Sequence, residues 1–133
     1  MDHAKNLILD YYNAFNRQDM SRFLTLLSDD VIHDINQGRR EIGKSRFNEF
    51  MQKMNRNYKE ELKDIVVMAN EFGTRAAAEF TVYGTYLQSD LGLPTARGQT
   101  YKVAAGAFFE ISNGLITRIT NYYNLEDWIT QVK

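Results

Sequence analysis

The sequence predicts an α+β fold in which a strongly curved, mostly antiparallel sheet packs against N-terminal helices to form a cone. Three observations carry this expectation. Apolar residues in the first third fall at helical spacing. Beyond Tyr58 the chain turns into long strand-like runs separated by short turn signals. One of those turns is Asn113-Gly114 between two apolar runs, the strongest short-range hairpin signal there is.

Taken in order, Leu7, Ile8, Tyr11, Ala14 and Phe15 mark one face of a helix over Ala4 to Phe15. Asp19 is a suitable N-cap for a second, shorter helix carrying Met20, Phe23, Leu24 and Leu27 and ending near Ser28. Asp29 to Asn36 changes period and enriches in branched residues, which reads as a strand. Gln37 to Gly43 is expected as a loop, and Phe47, Phe50, Met51 and Met54 return to helical spacing. Four strands follow: Lys59 to Asn70, Thr74 to Gln88, Tyr101 to Ile111 and Leu115 to Asn124. Short turns between adjacent runs favour antiparallel pairing. Leu125 to Val132 is expected to form a closing helix bearing Trp128. The stretch Ser89 to Gly98, with Pro94, Leu91 and Leu93, is long for a hairpin and is placed to cover a pocket mouth.

Composition narrows the function classes. A chain of 133 residues fits one domain, 1–133, and 44% hydrophobic residues suffice for a core. Seventeen acidic against sixteen basic residues leave almost no net charge, which argues against a nucleic-acid partner. No run of apolar residues is long enough for a membrane span and no signal peptide is evident, so a cytoplasmic location is expected. The absence of cysteine excludes disulfides, thiolate catalysis and cysteine-bound zinc. A metal site would need His33, Asp34 and the distant His3 to converge, and none is expected.

The stretch Val31-Ile32-His33-Asp34-Ile35-Asn36 holds adjacent imidazole and carboxylate groups. Strand alternation sends them to opposite faces, so only one enters a given interior. Asp34 is expected inside and His33 at an edge or interface. A carboxylate among apolar groups has raised basicity and can remove a proton next to a carbonyl. The alternative is a structural Asp34, either buried against Tyr11 or facing solvent at a strand end.

The motifs Tyr11-Tyr12-Asn13-Ala14-Phe15-Asn16-Arg17-Gln18-Asp19, Leu27-Ser28-Asp29-Asp30-Val31 and Asn113-Gly114-Leu115-Ile116 resemble the nuclear transport factor 2-like superfamily. Within it, the chain is most similar to the ketosteroid isomerase and SnoaL-like polyketide cyclase branch. The resemblance implies the cone fold, which is also cystatin-like. It places Asp34 at the proton-shuttling aspartate, Tyr11 at the oxyanion tyrosine, and Gly106 where ketosteroid isomerases carry a second oxyanion acid. It turns Ile119, Asn121 and Tyr123 inward, with Asn121 or Tyr123 available as a replacement donor.

The resulting expectation is an isomerase- or cyclase-like enzyme doing cofactor-free acid-base chemistry on a small apolar carbonyl compound. Asp34, Tyr11 and Asn121 are its catalytic set, and Tyr123, Ile119, Phe50, Phe80, Val82 and Phe108 line the substrate site. The competing expectation is a non-catalytic small-molecule-binding or dimerisation module. Epoxide hydrolysis or dehydration would need a further carboxylate, which the inward positions named do not supply. Ala77, Glu79, Thr81, Tyr83 and Thr85, beside Tyr101, Val103, Ala105 and, after a parity change, Lys102, would form a sparsely charged outer face. That face, like the family's sheet-to-sheet pairing, points to a homodimer.

Overall fold

The computed structural model describes residues 2–133. Helices α1 (Asp2–Asn16) and α2 (Met20–Thr25) lead into strand β1 (Leu27–Asp34) and a short β2 (Arg40–Ile42). Helix α3 (Lys44–Asn57) is followed by β3 (Tyr58–Ala69), β4 (Arg75–Tyr86), β5 (Thr100–Ser112), β6 (Leu115–Tyr123) and α4 (Leu125–Val132). The strands form one curved, unclosed sheet in the order β2-β1-β6-β5-β4-β3. Every pairing is antiparallel except β1 with β6, which is parallel. No helix among the described residues is long and apolar enough to cross a membrane.

Local chemistry explains most boundaries. Asp19 caps α2 by accepting the Arg22 N–H at 3.1 Å. Asn113 and Gly114 both take positive φ, 53° and 75°, the backbone a two-residue hairpin demands. Asn124 caps α4 through the Asp127 N–H. The segment Gln37 to Gly43, expected as loop, contains β2, because Arg40, Glu41 and Ile42 pair with Asp34, His33 and Ile32.

One core lies between the helices and the inner sheet face. Ile8, Phe23, Val31, Phe47, Tyr86, Phe109, Ile116 and Ile119 are essentially sealed from solvent. Each such side chain contributes about 1.5–3 kcal/mol of burial. Register divides the sheet cleanly. Phe80 pairs with Ala105, Val82 with Val103 and Gly84 with Tyr101, all on the inner face. Tyr101, Val103 and Ala105 therefore do not belong to the outer surface as expected. That surface is made by Lys102, Ala104, Gly106 and Phe108, which pair with Tyr83, Thr81, Glu79 and Ala77 without any change of parity.

Candidate active site

Between α1, α3 and the inner sheet face lies a cavity of about 150 Å³ with mainly aromatic and aliphatic walls. From α1, Tyr11 stacks on Phe23 with ring centroids 4.5 Å apart, and Tyr12 tilts over Phe80 at 5.0 Å. From α3 come Phe47, Phe50, Met51 and Met54. The sheet contributes Leu62, Phe80, Val82, Ala105, Asn121 and Tyr123.

β1 presents its face opposite to the one expected. Val31 and His33 are inward, His33 being only 2% exposed, while Asp34 is outward. The His33 ring lies parallel to Phe47 at 4.2 Å and edge-on to Phe50 at 4.7 Å. Its Nε2 stands 3.4 Å from the Asn121 amide nitrogen, and Nδ1 has no hydrogen-bond partner. Burial holds the imidazole pKa down at about 4, against a weaker upward pull from Asp34, so His33 is neutral at pH 7.

Asp34 is tied up on the outer face. Its carboxylate accepts from Arg40 Nε at 2.6 Å and from the Thr120 hydroxyl at 2.6 Å, with Arg118 nearby at 3.9 Å. The Arg40 hydrogen bond, assisted by Thr120 and the two guanidinium charges, lowers its pKa to about 2. A carboxylate so stabilised is a poor base. The expectation that Asp34 turns inward as the cavity base is corrected. The reason is that a flat neutral imidazole fits between two phenyl rings at far less cost than an ionised carboxylate.

Two further expectations change with the parity of β5. Phe108 is 48% exposed on the outer face beside Tyr122, and Phe109 is its buried neighbour. Gly106 also points outward, opposite Glu79 and Tyr122, so the position assigned to the second oxyanion acid does not reach the cavity. Ile119 is fully buried on the inner face and packs in the core without lining the cavity. Tyr11, Asn121, Tyr123, Phe50, Phe80 and Val82 do line it.

Glu60 was missing from the sequence reading. It lies on β3 between Tyr58 and Leu62, with which it shares strand parity, and it faces the cavity. The Tyr101 hydroxyl donates to its Oε2 at 2.5 Å. Desolvation raises the Glu60 pKa and the Tyr101 hydrogen bond partly offsets the rise. The signal was available: once Leu62 is taken as inward, Glu60 must be inward too.

At the open end, Asn36 holds β6 by donating to the Tyr123 carbonyl at 3.0 Å and accepting its N–H at 3.3 Å. Tyr58 donates to Asp90 at 3.0 Å, and Lys53 pairs with the same carboxylate at 3.0 Å. Leu91 and Leu93 of the connection between β4 and β5 border a neighbouring surface groove that shares Asn36, Phe50, Met54, Tyr58 and Tyr123 with the cavity.

The SnoaL-like domain family profile matches residues 8–119, which includes α1 from Ile8 onward and the sheet as far as Ile119 of β6. The chain belongs to the SnoaL-like family. This SnoaL-like protein is also similar to three solved structures, each provisionally named a polyketide cyclase. That from Pseudomonas putida is 65% identical with a TM-score of 0.97, covering 98% of both chains. That from Xanthomonas campestris is 54% identical, with a TM-score of 0.96 and coverage of 99% of this chain and 98% of the other. That from Silicibacter is 50% identical, with a TM-score of 0.97 and coverage of 100% and 97%. No curated protein matches the SnoaL-like chain.

Proposed function

We propose that the cavity binds a small, largely apolar carbonyl compound and performs cofactor-free acid-base chemistry on it, of the isomerase or cyclase kind. The observation that carries this reading is Glu60, a carboxylate with raised basicity among Tyr58, Leu62, Phe80 and Val82. In this role Glu60 removes a proton from the carbon next to the carbonyl, leaving an enolate. The Asn121 amide and the Tyr11 hydroxyl, both on the cavity wall, donate to the enolate oxygen. Burial raises the Tyr11 pKa, which keeps the phenol protonated as a donor. His33 supplies an uncharged polar edge next to Asn121, and Tyr123, Phe50, Phe80 and Val82 hold the apolar body. The provisional cyclase names of the similar proteins agree with this class of chemistry.

The test is turnover of a panel of enones and polyketide-like ketones. Glu60→Gln is expected to lower the rate about 10²–10⁴-fold, the usual contribution of a positioned base. Unchanged turnover would remove Glu60 from the chemistry.

A second reading is a binding module without chemistry. It is favoured by Asp34 lying outside the cavity and by Ala105 and Ala107 standing where an inward acid on β5 would be needed. Thermal-shift measurement separates the two: ligands at a hundred times their dissociation constant stabilise by about 2.7 kcal/mol. Stabilisation without turnover of any stabilising ligand would favour binding alone.

We further propose that two copies associate through the outer sheet face. Phe108 and Tyr122 (55% exposed) meet edge to face there, next to Ala77, Ala104 and Met68. An apolar surface of this kind on a sheet is usually covered. Sedimentation equilibrium giving a monomer at micromolar concentration would dismiss this proposal.

A further inference from the structure

Glu60, Gly84 and Tyr101 are direct cross-strand partners on β3, β4 and β5, side by side on the inner face. Two strand spacings separate the outer pair, roughly 10 Å between backbones. A hydrogen bond between their side chains must therefore pass over the middle strand. It does so because the middle residue is glycine. A Cβ at position 84 would fall within the Tyr101 ring, overlapping Cζ, Cε2 and the hydroxyl oxygen. The Tyr101 ring lies in that space, packed T-shaped against Trp128 with ring centroids 5.7 Å apart, and its hydroxyl reaches Glu60 Oε2.

We propose that Gly84 and Tyr101 are positioning residues for Glu60. They fix one carboxyl oxygen to the sheet and leave Oε1 for the molecule in the cavity. The inference rests on the reading of Glu60 as the proton-transfer group. After accepting a proton from carbon, Glu60 returns it to the product.

The experiment is a carbon-13 NMR titration of the Glu60 carboxyl in the full chain, its signal assigned by loss in Glu60→Gln. Tyr101→Phe is expected to move the titration to higher pH, since the bond that favours the charged form is lost. Gly84→Ala is expected to move it in the same direction, and to add nothing in the Tyr101→Phe background. A titration unmoved by Tyr101→Phe, or shifts that add, would overturn the proposal. Should Gly84→Ala fail to fold, Gly84→Ala/Tyr101→Val removes the overlapping ring: recovered folding supports the steric argument, and continued failure refutes it. The acid limb of the turnover profile should follow the Glu60 titration in every variant. Turnover surviving Glu60→Gln while the titration shifts as described would sink the catalytic role of Glu60 and leave its positioning by Tyr101 and Gly84 intact.

Discussion

At neutral pH the His33 imidazole is an uncharged aromatic plate, and its protonation is opposed by the folded state. Its pKa is about 4 when folded and 6.5 as a free side chain, so between those values the unfolded chain binds the extra proton. Stability from this group is complete above about pH 6.5 and falls as the pH drops toward 4. The full shift corresponds to about 3 kcal/mol. Urea unfolding across this range should show that slope, and His33→Gln should flatten it. Asp34 acts at lower pH and in the opposite sense to a raised carboxylate. Its contribution is present above its usual pKa of 3.8 and is lost as the pH falls toward 2. Asp34→Asn is expected to cost about 1 kcal/mol in urea unfolding and to leave turnover of the ketone panel unchanged. The sequence established that His33 and Asp34 part company, since alternation alone requires it. Which of them goes inside depended on Phe47 and Phe50 from α3 and on Arg118 and Thr120 from β6, partners that no local pattern reveals.

The edge of the sheet at β3 is protected by the end of a helix. Asn16, the last residue of α1, donates to the Leu62 carbonyl at 2.9 Å and accepts the Leu62 N–H at 2.9 Å. One amide side chain thus takes the place of an additional strand at that residue. Asn16→Ala should cost about 1–3 kcal/mol by leaving a part-buried backbone pair unsatisfied, measurable by urea unfolding. It should also raise amide exchange in the β3 segment that carries Glu60. At this scale the sequence was most legible where a single local rule decides: the stripes of α1 and α3, the Asp19 cap and the Asn113-Gly114 turn. It was least legible where pairing decides. β2 is three residues long and exists because β1 lies next to it, and the parallel contact of β1 with β6 joins segments about ninety residues apart. The shift of register between Leu27 and Ile32 falls where Asp29 and Asp30 are exposed within β1, just before Val31 and His33 turn inward.

For the whole molecule, the helices cover one face of the sheet and leave the other partly bare. Val66, Met68, Phe108 and Tyr122 are each about half exposed on that bare side. If two copies meet there, Phe108→Glu with Tyr122→Glu should shift the sedimentation equilibrium from dimer to monomer while leaving ligand-induced thermal shifts in place, because neither residue lines the cavity. Loss of the cavity's ligand response along with association would instead link the two faces through the sheet.

The parallel pairing of β1 with β6 also sets an order of events during synthesis. His33 and Asn121 are separated by 88 positions, yet they meet on the same wall. Everything from α1 to β5 can emerge from the ribosome without that wall being complete. Such distant pairing slows folding, because a long loop must close before its contacts form. Until β6 arrives, the aromatic interior has no lining on that side, and the nascent chain carries an open greasy trough in need of shelter. The last strand made is the one that turns a folded sheet into a container.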